Sequence, residues 1–176
     1  MSTTYSEEEL NLLTNTPHII GAAMAFAGNS GLFGTGKEMF TMAQSVMAGV
    51  KDYPNNALIQ SILPNSQEGT SEAMAKLKKI RDWGSARMKA NGVDSAQKFI
   101  EQAITDSKAV AELLAGKASV QESNDYKQWC LAIAEKVAMA TTEGSFLGFG
   151  GERFSTNEKN LLVEFQSAMG IKSNLT

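Results

Sequence analysis

Residues 31–38 read GLFGTGKE, and the reading given to them decides the fold class. With Gly31, Gly36 and Lys37 in place, the stretch has the G-x-x-x-x-G-K form of a phosphate-binding loop. Such a loop needs a strand to deliver it and a helix to receive it, and so implies a sheet. Two features oppose that. Glu38 stands where a Mg²⁺-binding Ser or Thr belongs, and its carboxylate would face an anion. The residues upstream, Pro17 to Ala27 (PHIIGAAMAFA), have the character of a buried helix rather than a strand. The stretch therefore reads as a connection between two helices.

The same pattern recurs later in the chain. Gly34, Gly36, Glu38 and Phe40 match Gly148, Gly150, Glu152 and Phe154 at one constant offset, so G-x-G-x-E-x-F occurs twice. Upstream, Ala23-Met24-Ala25 matches Ala138-Met139-Ala140, one residue out of step. In the second copy Gly151 replaces Lys37, so the lysine that a phosphate cradle needs is not shared. A degenerate duplication is expected, with halves at about 17–63 and 122–170 joined by helices over 70–115.

Periodicity supports helices throughout. Ala43, Val46, Met47 and Val50 form one stripe, and Leu77, Ile80, Gly84 and Met88 another. Trp129, Ile133 and Val137 lie four apart, and Leu161, Leu162, Phe165 and Met169 complete the series. Ser6 with Glu9, Asp94 with Gln97 and Ser155 with Glu158 have capping-box spacing, and Thr16-Pro17 places proline at a first helical position. Gly28, Asn91-Gly92, Gly116, Gly144 and Gly170 read as stops. Helices are expected near 6–14, 17–28, 37–51, 56–62, 70–90, 95–115, 122–142 and 155–169, with Thr105-Asp106-Ser107 as a kink or break in the sixth. The polar linker 64–69 marks a seam. The expectation is an all-α, single-domain bundle of about seven to nine helices.

Composition bounds the function. With 43% apolar and 20% charged residues in 176, the chain is of ordinary globular type and long enough for one sizeable core. A net charge of −3 and a pI near 5.3 give no field for neutralising phosphates, so nucleic acid is not an expected partner. The opening residues lack the features of a secretory signal, and the single Cys130 excludes an intramolecular disulfide; a cytoplasmic location is expected. The longest apolar stretch is too short to cross a membrane, which takes about 20 residues.

Toward the C-terminus, Ala140-Thr141-Thr142-Glu143-Gly144 is followed by Ser155-Thr156-Asn157-Glu158. The latter opens a segment that ends in Ala168-Met169-Gly170-Ile171. This resembles the TerB-like domains associated with tellurite resistance, in which a helix closes in A-x-x-D-G and S-x-x-E heads the next. The resemblance implies an all-α bundle with pseudo-duplicated halves. It also implies a divalent-metal site of acidic residues near the turn and a non-enzymatic role in membrane-associated stress-response assemblies. The sequence departs from the pattern by an inserted FLGFGGERF, by Glu143 in place of Asp, and by the lack of any acid at Gly28-Asn29-Ser30-Gly31. The agreement covers about residues 129–171.

On that reading Glu38, Glu143, Glu152 and Glu158 are the candidate ligands for Ca²⁺ or Mg²⁺. The plainer reading is that Glu38 and Glu152 favour helix N-termini electrostatically and Glu158 closes its capping box. Phe33, Phe146 and Phe149, large aromatics inside glycine-rich loops, form a candidate binding surface for a protein partner unless they fold back on the core. The basic run Lys76, Lys78, Lys79, Arg81, Arg87 and Lys89 suits a peripheral contact with an anionic membrane, or is simply solvated. His18, the only histidine, is expected to be a partly exposed first-turn residue rather than a base. With one His and one Cys a zinc site is not expected. Nine methionines fill core gaps or, alternatively, line an adaptable groove. A second expectation, from a different class, is a helical ligand-binding or weakly enzymatic protein whose glycine loops close over a pocket.

Overall fold

The computed structural model describes residues 5–28, 36–64, 69–142 and 154–171. Over these residues the chain is an all-α bundle: α1 (Glu7–Ala27), α2 (Gly36–Asp52), α3 (Ala57–Ile62), α4 (Thr70–Ala90), α5 (Ala96–Lys117), α6 (Val120–Thr142) and α7 (Thr156–Met169). No strand occurs among the described residues. The G-x-x-x-x-G-K stretch is entered from the helix α1 and leads into the helix α2, so the element preceding it is not the strand of a nucleotide cradle. Residues 31–35 themselves lie outside the described residues.

Helix α1 packs against each of the other six helices and differs most from expectation. Two helices, 6–14 and 17–28, were expected to meet at Thr16-Pro17; instead one helix runs through, with Pro17 inside it. A proline there has no N–H to give the carbonyl of Leu13, four residues back, and its ring crowds that carbonyl. The missing donor arrives from α6: the Tyr126 hydroxyl donates to Leu13 O at 2.6 Å, with both residues fully buried. Just before the proline, the side chains of Thr14, Asn15 and Thr16 donate to the carbonyls of Leu10, Asn11 and Leu12. These local bonds and one distant hydroxyl carry the helix past its breaker.

Around α1 the core is continuous. Leu13, Ile20 and Met24 of α1 meet Val46 of α2, Val110 and Leu114 of α5, Ile133 and Val137 of α6, and Phe165 of α7, all but excluded from solvent. Trp129 packs edge-on against Tyr126 and lies so close to α2 that a Cβ at Gly49 would fall 2.7 Å from its indole. Only glycine permits that approach. Cys130 is fully buried, and desolvation raises its thiol pKa, which suits a small core hydrophobe.

The caps show where local signals were read correctly. Ser6 with Glu9 and Ser155 with Glu158 form complete capping boxes. Asn91-Gly92 and Gly170 end their helices with the paired back-bonds of a Schellman turn, Val93 N to Met88 O and Ile171 N to Gln166 O, around glycines at φ 67° and 66°. Elsewhere the structure differs. Ser95, not Asp94, caps α5 by accepting from Lys98 N. Gly116 lies inside α5. The expected break at 105–107 is absent: Ser107 bonds back to Ala103 O, and Asp106 faces inward to a cation.

If the Tyr126 hydroxyl substitutes for the missing proline N–H, its removal should cost what an unsatisfied buried carbonyl costs. Tyr126→Phe should lose about 1–3 kcal/mol in urea denaturation. In a Pro17→Ala background, where the backbone N–H returns, the same substitution should cost clearly less. Equal costs in the two backgrounds would separate Tyr126 from the proline.

Candidate functional site

Helix α4 is unlike its neighbours. Its stripe Leu77, Ile80, Gly84 and Met88 is the kind that closes a core, yet no residue of α4 is fully buried. It lies chiefly on α1, held there by charge. Lys79 pairs with Glu7 at 3.0 Å and Arg87 approaches Glu8 at 3.7 Å, both at the N-terminal end of α1. The deeper anchor is on α5. Asp106, with 0% of its side chain exposed, receives Arg87 at 2.7 Å and Gln102 at 2.8 Å. Arg87 also lies over the Trp83 ring, 5.3 Å from its centre. An exposed ion pair is worth at most about 1 kcal/mol, but removing one partner of a buried pair strands the other charge. Arg87–Asp106 is therefore the bond that locates α4.

The partial contact leaves an open cleft of about 410 Å³ between α1 and α4, lined also by Met42 of α2 and Phe99 of α5. Helix α1 contributes Asn15, His18, Ile19 and Ala22; α4 contributes Leu77, Ile80, Arg81, Gly84, Ser85 and Met88. Such a volume lies within the range of small-molecule sites, as does a lining of apolar walls with a few polar groups. At one point the two helices leave no room for a further side chain. A Cβ on Gly84 would lie 2.8 Å from Asn15 Oδ1, an amide oxygen whose own nitrogen is spent on Asn11 O.

His18 is the polar group that sequence reasoning placed wrongly. It sits in mid-helix, only partly exposed, and its Nε2 is buried with no hydrogen-bond partner among the described residues. Burial alone lowers its pKa from 6.5 to about 4, so the ring is neutral at physiological pH. The other polar side chains of the described lining are Asn15, Arg81 and Ser85. What these walls offer is a shaped apolar surface with a neutral imidazole, an amide and a hydroxyl along it.

The residues expected to form a site are distributed as follows. Glu38, in the first turn of α2, and Glu158, in the first turn of α7, are each 1% exposed. The Glu158 carboxylate accepts from Ser155 N at 2.8 Å, as its capping role requires. Glu143 and Glu152 lie outside the described residues, as do Phe33, Phe146 and Phe149. Among the described residues no group of three or more His, Cys, Asp or Glu is placed to hold a metal ion. On α4 the basic run is partly used within the protein: Lys78 and Arg81 share Asp82, Lys79 holds Glu7, and Arg87 holds Asp106. Among the described residues no helix is long and apolar enough to cross a membrane.

Asn15, His18, Ile19 and Ala22 were missed as a group, although their spacing of three, four and seven already puts them on one face of a helix. The break wrongly placed at Pro17 hid that face by assigning Asn15 and His18 to different helices. No protein-family model, curated protein or solved structure matches the chain.

A histidine that is neutral when folded makes stability depend on pH. Between the folded pKa of about 4 and the unfolded value of 6.5 the unfolded chain binds the extra proton, so this contribution is complete above pH 6.5 and is lost as pH falls. The wild type should lose about 2 kcal/mol between pH 7 and 5 in urea denaturation, and His18→Gln should lose much less over that interval. Identical slopes would mean that His18 is not buried neutral.

Proposed function

We propose that this protein is a non-enzymatic helical module that binds a small, mainly apolar molecule in the cleft between α1 and α4. The observation that carries this is the cleft itself: about 410 Å³, walled by Ile19, Ala22, Met42, Leu77, Ile80, Met88 and Phe99, beneath a helix with no fully buried residue. An amphipathic helix normally closes such a stripe against its neighbour. Here the stripe is left partly unfilled, and burying it against a ligand would recover roughly 25 cal/mol for each Å² of apolar surface removed from water. The described lining, apolar walls with a few polar groups along them, is why binding is the reading adopted.

The test uses a neutral fluorescent hydrocarbon amine, 1-aminoanthracene, titrated into the full chain. Saturable, one-to-one binding is expected. Ala22→Phe, which fills the cleft from α1, should weaken it by about tenfold or more while leaving the melting temperature nearly unchanged, because the added ring occupies space that is already open. Unsaturable binding, or equal binding by the variant, would remove the cleft as the site.

A second reading keeps the TerB-like module, with a divalent cation held near the turns that precede α2 and α7 and a partner-binding role in stress response. It is favoured by the burial of Glu38 in the first turn of α2 and of Glu158 in the first turn of α7. Buried carboxylates tend to be paired or to bind metals. Here Ca²⁺ or Mg²⁺ at 100 times its dissociation constant should raise stability by about 2.7 kcal/mol and EDTA should reverse it. A melting temperature indifferent to Ca²⁺, Mg²⁺ and EDTA would leave this reading without its ion.

A further inference from the structure

The proposed cleft is electrically one-sided, and that asymmetry restricts its ligand. Of its described lining residues only Arg81 is charged, and none is Asp or Glu. Arg81 is at the solvent edge, its side chain 72% exposed. Its nearest anion is shared: Asp82 accepts Arg81 through Oδ1, from Nε at 3.2 Å and Nη2 at 2.9 Å, and Lys78 through Oδ2 at 3.0 Å. Lys78, Arg81 and Asp82 together carry one net positive charge. The other flanking cations have acids of their own, Lys79 on Glu7 and Arg87 on both Asp106 and Glu8.

The interior of the cleft is the opposite case. His18 is kept neutral by its surroundings, and Asn15 is the amide beside it. A ligand charge pushed in among these groups would lose its water and gain no counter-charge. We infer that the cleft takes an amphipathic carboxylate, its hydrocarbon part lying between α1 and α4 and its single negative charge held at the edge by Arg81. This rests on the cleft being a binding site, and it adds a polarity which that reading does not require. A neutral molecule of the same shape forgoes the Arg81 contact, and a cationic one meets repulsion there.

Three ten-carbon probes separate the two claims: decanoate, decanol and decyltrimethylammonium, each below its micelle concentration, titrated by calorimetry into the full chain at pH 7.5 and low salt. Decanoate should bind about fivefold more tightly than decanol, the size of one exposed charge contact. The ammonium probe should bind most weakly. Arg81→Gln should erase the advantage of decanoate while leaving decanol unchanged, which also shows that the variant is folded. Arg81→Lys should retain most of it, and added salt should shrink it. Equal binding of decanoate and decanol, or an advantage that survives Arg81→Gln, would overturn the assigned polarity while the cleft stands. If none of the three binds, the cleft reading falls and the polarity with it.

Discussion

The fold depends on one hydroxyl. A proline in the interior of the central helix forfeits a backbone hydrogen bond and would ordinarily cost about 3 kcal/mol. Tyr126 answers with a donor at 2.6 Å from Leu13 O, and this ties α6 to the middle of α1 at one register. The requirement is strict because the site is dry: an unpaired carbonyl there cannot turn to water. Trp129 packs edge-on to the same tyrosine and against Gly49, so the second helix of the bundle is indexed to the same point. A constraint within one turn of α1 thus propagates to α2 and α6.

That constraint also orients the cleft. At 100° per residue, Ala22 lies nine positions and half a turn away from Leu13. Leu13, Thr16 and Ile20 face inward, where Tyr126 is met, whereas Asn15, His18, Ile19 and Ala22 line the cleft under α4. Had α1 broken at Thr16-Pro17, the two ends of the cleft floor would have pointed in unrelated directions. Continuity of the helix through its proline is what makes the floor one surface. Helix α4 then lies across it with a different balance of forces, attached mainly through Arg87–Asp106 and weaker exposed pairs. Elements held by few buried contacts open at lower free energy than the core they rest on. A cleft roofed by such a helix can admit a molecule without disturbing the packing around Phe165 and Ile133.

What was legible in the sequence was whatever is decided within a few residues. The helical class followed from periodicity, and the caps at Ser6, Ser155, Gly92 and Gly170 from side chains acting on backbone three to five positions away. The misplaced features were decided elsewhere. Pro17 is a sound helix start by local rules, and its rescue comes from a residue 113 positions from Leu13. Asp106 and Ser107 looked like a break because their side chains favour turns; one instead bonds back to Ala103 O and the other is held by Arg87. Asp94 lost the cap to Ser95 and pairs with Lys98 at 2.9 Å. The cleft was hidden for a different reason. The stripe Leu77, Ile80, Gly84, Met88 has the same pattern whether it closes a core or roofs a cavity, and only the separation of α4 from α1 distinguishes the two.

The separation itself has a local origin. Where two helices cross, the smallest residue sets the closest approach and the larger ones on either side determine how much space is filled. Here Gly84 faces Asn15 so closely that a methyl group would collide with the amide oxygen. Asn15 cannot yield freely, because its nitrogen is committed to Asn11 O one turn below, within the run of back-bonds that leads into Pro17. The roof is therefore stopped at a fixed height by a residue whose side chain is held by the same turn that accommodates the proline. Met88, on one side of Gly84, packs against the core, while Leu77 on the other stays 41% exposed. The repair that keeps α1 whole and the gap beneath α4 are in this sense consequences of the same four residues, Thr14 to Pro17.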